Sequence, residues 1–95
     1  MQNTNSMTDE QKKAAQLVLR QQTRERLGQR VAQLRQMNDM SIEQLADATG
    51  LQVSHIRRIE AGRYTVNVEI LEMLAKAFNM TVDIVDKNHR GEITK

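Results

Sequence analysis

Residues 41–62 read SIEQLADATGLQVSHIRRIEAG, and this stretch decides the fold of the chain. Apolar residues recur at helical spacing on both sides of a glycine, in the order Ile42, Leu45, Ala46, Gly50, Val53, Ile56 and Ile59. Glycine adopts positive φ readily, so Gly50 can end a first helix and redirect the chain into a second. The stretch therefore predicts two short helices joined by a tight turn.

The second of these helices is expected to have a polar, cationic outer face. Ile56 and Ile59 point into a core, and a helix turns about 100° per residue, so Ser54, Arg57 and Arg58 must point away from it. A helix with one buried stripe and one cationic stripe suits the DNA major groove, where arginine can read guanine through two hydrogen bonds. The pattern favours contact with double-stranded DNA.

The chain resembles the Cro and phage-repressor-like helix-turn-helix family. The resemblance covers roughly residues 24 to 79 and is carried by the spacing of Leu34-Arg35, Ser41, Leu45-Ala46, Gly50, Ile56, Ile59-Glu60, Gly62, Asn67, Leu71, Leu74-Ala75 and Ala77. It implies an all-α, five-helix repressor-like domain. To this domain the present chain is expected to add an N-terminal helix and a short C-terminal β-strand.

The resemblance implies a DNA-binding surface built from two helix starts, the outer face of the second motif helix and the loop after it. Its residues are Ser41, Gln52, Val53, Ser54, Arg57, Arg58 and Arg63. Ser54 and Arg57 are expected at base edges, whereas Arg58 serves bases, phosphate or an intramolecular contact. Ser41, Gln52 and Arg63 are expected at phosphates.

Three positions depart from the family pattern. Gln52 replaces the usual serine or threonine cap and is a weaker one. Val53 stands where a polar residue is usual, so it either meets a thymine methyl group or packs. Ile42 stands where relatives often have a glutamine that touches DNA, and its side chain cannot form that hydrogen bond.

Two further side chains are interpreted as structural. The resemblance implies a largely buried salt bridge between Arg35 on the first domain helix and Glu60 at the end of the second motif helix. His55 lies between the outer and inner stripes, and it is interpreted as a residue that packs or touches phosphate rather than as a metal ligand.

Capping and turn signals divide the chain into segments. Residues 1–7 are expected to be disordered, and residues 8–22 to form the additional helix, which begins with a capping box at Thr8 and either stops or runs on into the next helix. Residues 23–79 form the DNA-binding domain, within which Asn38-Asp39, Ser41 and Asn67 mark helix ends and starts. Apolar and polar residues alternate over the next segment, which predicts a strand at 80–86 followed by a tail at 87–95.

Composition excludes several classes of protein. The chain has 95 residues, no cysteine, no proline, one tyrosine and one phenylalanine, which indicates one small aliphatic core without disulfides or thiolate metal sites. It has no run of about 20 apolar residues, so no membrane span is expected, and the first 13 residues lack the apolar stretch of a signal peptide. A cytoplasmic location is the expectation.

The charge is small in total but segregated along the chain. The net charge is +2, with arginines concentrated in residues 20–35 and 51–64 and carboxylates in residues 36–50 and 65–86. Segregation of this kind can make one basic face on a nearly neutral molecule. No nucleophile has a paired base at useful spacing and no glycine-rich loop is present, so neither an enzyme nor a cofactor is expected.

These features favour a sequence-specific transcriptional regulator, most simply a repressor that occupies its operator as a homodimer. One alternative is an antitoxin, which combines the same DNA-binding domain with neutralisation of a toxin protein. The other is an interaction module that kept the fold and lost DNA binding, which Ile42, Val53 and the weak net charge would favour.

Overall fold

The computed structural model describes residues 7–87, and all regular secondary structure in this range is helical. The helices are α1 (Asp9–Met37), α2 (Ile42–Thr49), α3 (Val53–Glu60) and α4 (Val68–Ala77). The expected all-α class is confirmed. Residues 1–6 and 88–95, which hold most of the predicted N-terminal disorder and C-terminal tail, lie outside the described range.

The predicted signals at the helix ends are present. Thr8 and Ser41 each form a complete capping box with the glutamine three positions later, and the Asn67 side chain accepts a hydrogen bond from a backbone N–H in the first turn of α4. Asp39 and Gly50 take positive φ angles of 55° and 81°, which redirect the chain after α1 and α2. Local sequence therefore sets the starts of α1, α2 and α4 and the ends of α1 and α2.

The structure corrects the expected count of five domain helices, and of the two alternatives for the N-terminal helix it shows the one in which that helix runs on into the next. α1 is continuous across residues 22 and 23, where the sequence-based division placed a boundary, so residues 7–87 contain four helices. The joined stretch is rich in strong helix formers, and elongating an existing helix avoids the cost of nucleation. Gly28, the weakest helix former in α1, is buried where α1 meets α3.

The core lies between the four helices. Its buried side chains are Val31, Leu45, Ala46, Ile56, Ile59, Ile70, Leu74 and Phe78. α3 packs against α1 and α2, and α2 also packs against α4. The Ile56 and Ile59 side chains are 0% and 1% exposed, which fixes the rotation of α3 about its own axis. The opposite face of α3 must then be directed to solvent.

The predicted strand at 80–86 is not formed within the described part of the chain. The Met80 N–H donates to the Ala75 carbonyl and closes α4, but the residues after it have no regular structure. Ile84 is 96% exposed. A strand needs a neighbour for its backbone hydrogen bonds, and no second strand occurs within residues 7–87. Pairing with another chain stays a prediction.

Residues 9–22 of α1, termed here the α1 arm, project from the domain and are exposed on every side. Their apolar residues do not form a stripe, because consecutive Leu17, Val18 and Leu19 point in three directions about 100° apart. None of the helices within residues 7–87 is long and apolar enough to cross a membrane.

Candidate nucleic-acid interface

The turn between α2 and α3 is held by side-chain and backbone contacts on both sides of Gly50. The Gly50 N–H donates to the Ala46 carbonyl at 2.8 Å, and the Thr49 hydroxyl accepts from the Leu51 N–H at 3.2 Å. The same hydroxyl donates to the Leu45 carbonyl at 2.8 Å. These bonds fix the angle at which α3 leaves α2.

The outer face of α3 is exposed and cationic, as the periodicity predicts. Ser54, Arg57 and Arg58 are exposed, while Ile56 and Ile59 on the opposite face are buried. Arg57 forms no ion pair within the described part of the chain. Its guanidinium is therefore available for an external partner.

The two apolar departures from the family pattern both contact the core. Ile42 and Val53 are half-buried and pack against the buried cluster. Packing, which was one of the two alternatives for Val53, is thus observed. Contact with the core is enough to explain why the side chains at these two positions are apolar, whether or not they also meet DNA.

The two helix starts differ in how their side chains are used. The Ser41 hydroxyl accepts from the Gln44 N–H at 3.0 Å and is committed to capping α2. Gln52 is exposed at the start of α3 and makes no capping hydrogen bond with its side chain. The side-chain amide of Gln52 is therefore available to bind a phosphate. Without a capping hydrogen bond, the start of α3 is less stable.

Tyr64 contacts two residues of α3 in an arrangement that the sequence did not reveal. The His55 ring meets the Tyr64 ring edge to face, with ring centroids 4.3 Å apart, and the Arg58 guanidinium lies 5.7 Å from the Tyr64 centroid. The buried Nε2 of His55 has no hydrogen-bond partner among the described residues. The only sequence signal was that Tyr64 is the sole tyrosine and directly follows Arg63.

Arg35 and Glu60 are brought together in a two-pronged ion pair. Arg35 Nε donates to Glu60 Oε2 at 2.7 Å and Nη2 donates to Oε1 at 3.1 Å, while Nη1 donates to the Met40 carbonyl at 2.9 Å. The two side chains are 14% and 11% exposed. The hydrogen bond to Glu60 raises the pKa of Arg35, although burial opposes this shift. The pair joins the end of α1 to the end of α3.

The loop after α3 brings Arg63 beside that helix. Gly62 has a φ of 74° and is buried against Glu25 of α1, where a β-carbon would lie 3.1 Å from the Glu25 Cα. The Arg63 N–H donates to the Arg58 carbonyl at 2.9 Å, which places Arg63 at the carboxyl end of α3. Its side chain is exposed.

The same loop is tied to α1 through Arg24. Arg24 Nη1 donates to the Thr65 hydroxyl at 3.3 Å, and the Arg24 side chain is half-buried. Sequence reasoning gave no role to this arginine. The signal was its position one and two helical turns before Leu27 and Val31 on the inner side of α1.

Comparison with known families gives one match. A family model described as "Helix-turn-helix" matches residues 31–85, which is more than half of the chain. The match begins at Val31, so the α1 arm lies outside it. No curated protein and no solved structure matches the chain.

Proposed function

Because the chain belongs to the Cro/C1-type helix-turn-helix family, whose members bind DNA, we propose that it is a sequence-specific regulator that inserts α3 into the major groove. The observation that carries this proposal is the orientation of α3. Ile56 and Ile59 anchor one face in the core, so the exposed Ser54 and Arg57 occupy the face that can meet base edges.

The contacts divide by how each side chain is held. Arg57 has no ion-pair partner among residues 7–87, so it can form the paired hydrogen bonds that read guanine. Arg58 is engaged by Tyr64 and is proposed to contact phosphate. Arg63 and the starts of α2 and α3, at Ser41 and Gln52, are proposed as the remaining phosphate contacts.

Packing weakens the alternative of an interaction module that has lost DNA binding. That alternative drew on the weak net charge and on the apolar residues Ile42 and Val53, which replace polar residues of the family pattern. Both side chains pack against the core. Their apolar character therefore serves the fold and no longer favours loss of DNA binding.

We also propose repression by operator occupancy, with the protein acting as a homodimer. One small domain gives limited affinity, whereas two domains on half-sites about 34 Å apart can bind together. Residues 80–85 carry the exposed apolar side chains Met80, Val82, Ile84 and Val85 and lack a partner strand within residues 7–87. The same exposed segment could instead pair with a toxin's sheet edge, which keeps the antitoxin alternative open to test.

Binding-site selection from random duplexes tests the DNA-binding proposal. We expect one enriched sequence, and we expect affinity for it to fall steeply as salt concentration rises, because phosphate contacts release counterions. Failure to bind any duplex in a salt-dependent way would contradict the proposal.

Two arginine variants test the assigned roles. Arg57→Ala should lower affinity for the selected sequence about 5- to 150-fold more than for random DNA, the equivalent of about 1–3 kcal/mol. Arg63→Ala should weaken binding to the selected sequence and to random DNA about equally, and it should flatten the dependence of affinity on salt concentration by about one unit. Arg26→Ala, an exposed arginine of α1, is the control. Equal losses on both duplexes for Arg57→Ala would make it a phosphate contact.

A further inference from the structure

We propose that Lys13 and Arg20 of the α1 arm, together with Arg24 just after it, form a second phosphate-binding surface that contacts duplex DNA beside the segment read by α3. This inference rests on the proposed function. It assigns a role to a part of α1 that makes no contribution to the buried core.

The direction of this surface follows from helix geometry. Lys13, Arg20, Arg24 and Val31 are separated by seven, four and seven residues, so at about 100° per residue their side chains lie within about 40° of one another around the helix. Val31 is buried in the core. The three cationic residues therefore lie on the side of α1 that faces the domain body.

This face of the α1 arm is continuous with the cationic face of α3. Arg24 is bonded to Thr65, and Arg20 and Arg24 line one shallow groove with Tyr64 and Thr65. The Tyr64 ring in turn lies against the Arg58 guanidinium. Arg58 of α3 and Arg20 and Arg24 of α1 are therefore connected through Tyr64 and Thr65 of the loop after α3.

Charge and polarity select DNA as the occupant of this surface. Between Lys13 and Val31 the face that carries Lys13, Arg20 and Arg24 has no carboxylate, while Asp9 lies one turn before Lys13. Glu25 lies about 100° around the helix from Arg24 and is linked to it through Gln21, which accepts from Arg24 and donates to Glu25. An apolar partner helix is not favoured, because Leu17, Val18 and Leu19 point in different directions and form no stripe. A polyanion that already contacts α3 matches both the charge and the position.

The α1 arm is long enough to lengthen the DNA footprint. Its 14 residues, 9–22, extend about 21 Å at 1.5 Å per residue. Successive phosphates of one strand are about 3.4 Å apart along the duplex axis. The arm can therefore reach at most about 6 base pairs beyond the domain body.

The test compares two duplexes that contain the selected binding sequence. The short duplex ends at the last enriched base pair, and the long duplex adds ten base pairs of unrelated sequence on each side. For the full chain we expect tighter binding to the long duplex and a salt slope steeper by about two units per protomer, one for each of Lys13 and Arg20. Arg24 is left intact because its bond to Thr65 also joins α1 to the loop.

Pairs of substitutions that each remove two positive charges then show which residues cause the difference in affinity between the two duplexes. Lys13→Gln with Arg20→Gln should abolish most of the difference between the duplexes and leave binding to the short duplex unchanged. Lys12→Gln with Arg26→Gln removes the same charge from other sides of α1 and should preserve the difference. Glutamine is a good helix former, so both pairs keep the arm helical, which circular dichroism can verify.

The outcomes separate the two proposals. If the full chain binds the short duplex but gains nothing from the flanks, the α1 surface is overturned and the DNA-binding proposal stands. If both variant pairs lose the flank effect equally, general charge explains it and this surface is again overturned. If the full chain binds neither duplex, the proposed function fails.

Discussion

At the scale of single residues, the arginine side chains of this protein fall into two groups according to what holds them. All three guanidinium nitrogen atoms of Arg35 donate within the molecule, two to the Glu60 carboxylate and one to the Met40 carbonyl. Arg57 and Arg63, in contrast, are exposed and make no ion pair among residues 7–87. The first residue stabilises the fold and the other two are available for binding, although all are the same residue type.

Glu60→Ala should destabilise the fold by about 3 kcal/mol, because it leaves the Arg35 charge largely buried without its partner. For a domain of this size the midpoint of thermal unfolding should fall by at least 10 °C, on the order of 4–8 °C per kcal/mol. Circular dichroism measures the change. Glu72→Ala, an exposed carboxylate on α4, is the control and should change the midpoint little.

A double variant distinguishes loss of the pair from loss of packing. Arg35→Met with Glu60→Leu removes both charges and should recover much of the stability, because a buried ion pair and an apolar pair are often similar in net stability. A Glu60→Ala midpoint equal to that of the native chain would show that the pair contributes little in solution.

At the scale of helices, the close approach of α1 to α3 depends on a glycine. A β-carbon on Gly28 would lie 2.3 Å from the Ile59 carbonyl oxygen and 3.0 Å from that of Glu60. Both atoms belong to the backbone of α3, so they cannot rotate away. A residue that weakens an isolated helix therefore allows two helices to pack.

Gly28→Ala has two opposing effects, and their magnitudes decide the sign. Alanine favours the helix by about 1 kcal/mol over glycine. The clash with the α3 backbone should cost about 1–3 kcal/mol or more, because α1 and α3 must separate. We expect net destabilisation in thermal unfolding, whereas Gln29→Ala at the neighbouring exposed position should be neutral. A stabilised Gly28→Ala variant would mean that the helices separate at little cost.

Features set by neighbours along the chain were predictable from sequence, and those set by distant contacts were not. The caps at Thr8, Ser41 and Asn67 and the turn at Gly50 depend on hydrogen bonds and φ angles within a few residues. The presence of Gly28 inside α1 depends instead on the close approach of the α3 backbone. Sequence alone could not show that packing.

The candidate site divides in the same way. The outward direction of Arg57 follows from helical periodicity and the buried isoleucines. The half-buried state of Val53 depends on its packing against the core, and the contacts of Tyr64 with His55 and Arg58 depend on how the loop after α3 folds back. The strand at 80–86 had the correct alternation, but pairing is a property of two segments and the described chain supplies only one.

At the scale of the whole molecule, the exposed segment after α4 governs the expected assembly. Two copies paired across a twofold axis would satisfy the backbone groups of residues 81–85 and remove Ile84, which is 96% exposed, from water. The same pairing would fix the distance between two α3 helices. Assembly and DNA reading are therefore expected to depend on the same segment.

Deleting residues 81–95 should convert a dimer into a monomer, as measured by light scattering at tens of micromolar. Met80 is kept because its N–H bond to Ala75 closes α4. Ile84→Lys should have the same effect with one substitution, whereas Asp83→Lys on the other side of the segment should not. A full-length chain that is already monomeric overturns the homodimer and leaves the segment to a toxin partner. A truncated chain that stays dimeric places the contact elsewhere.

The position of Tyr64 also has a spectroscopic consequence. The chain contains one tyrosine and no tryptophan, so its ultraviolet fluorescence comes essentially from a single ring. That ring contacts His55 and Arg58, both of which belong to the helix proposed to enter DNA. Fluorescence emission from the unmodified protein therefore reports on the environment of Tyr64 beside α3. A titration with duplex can be followed there without attaching a dye.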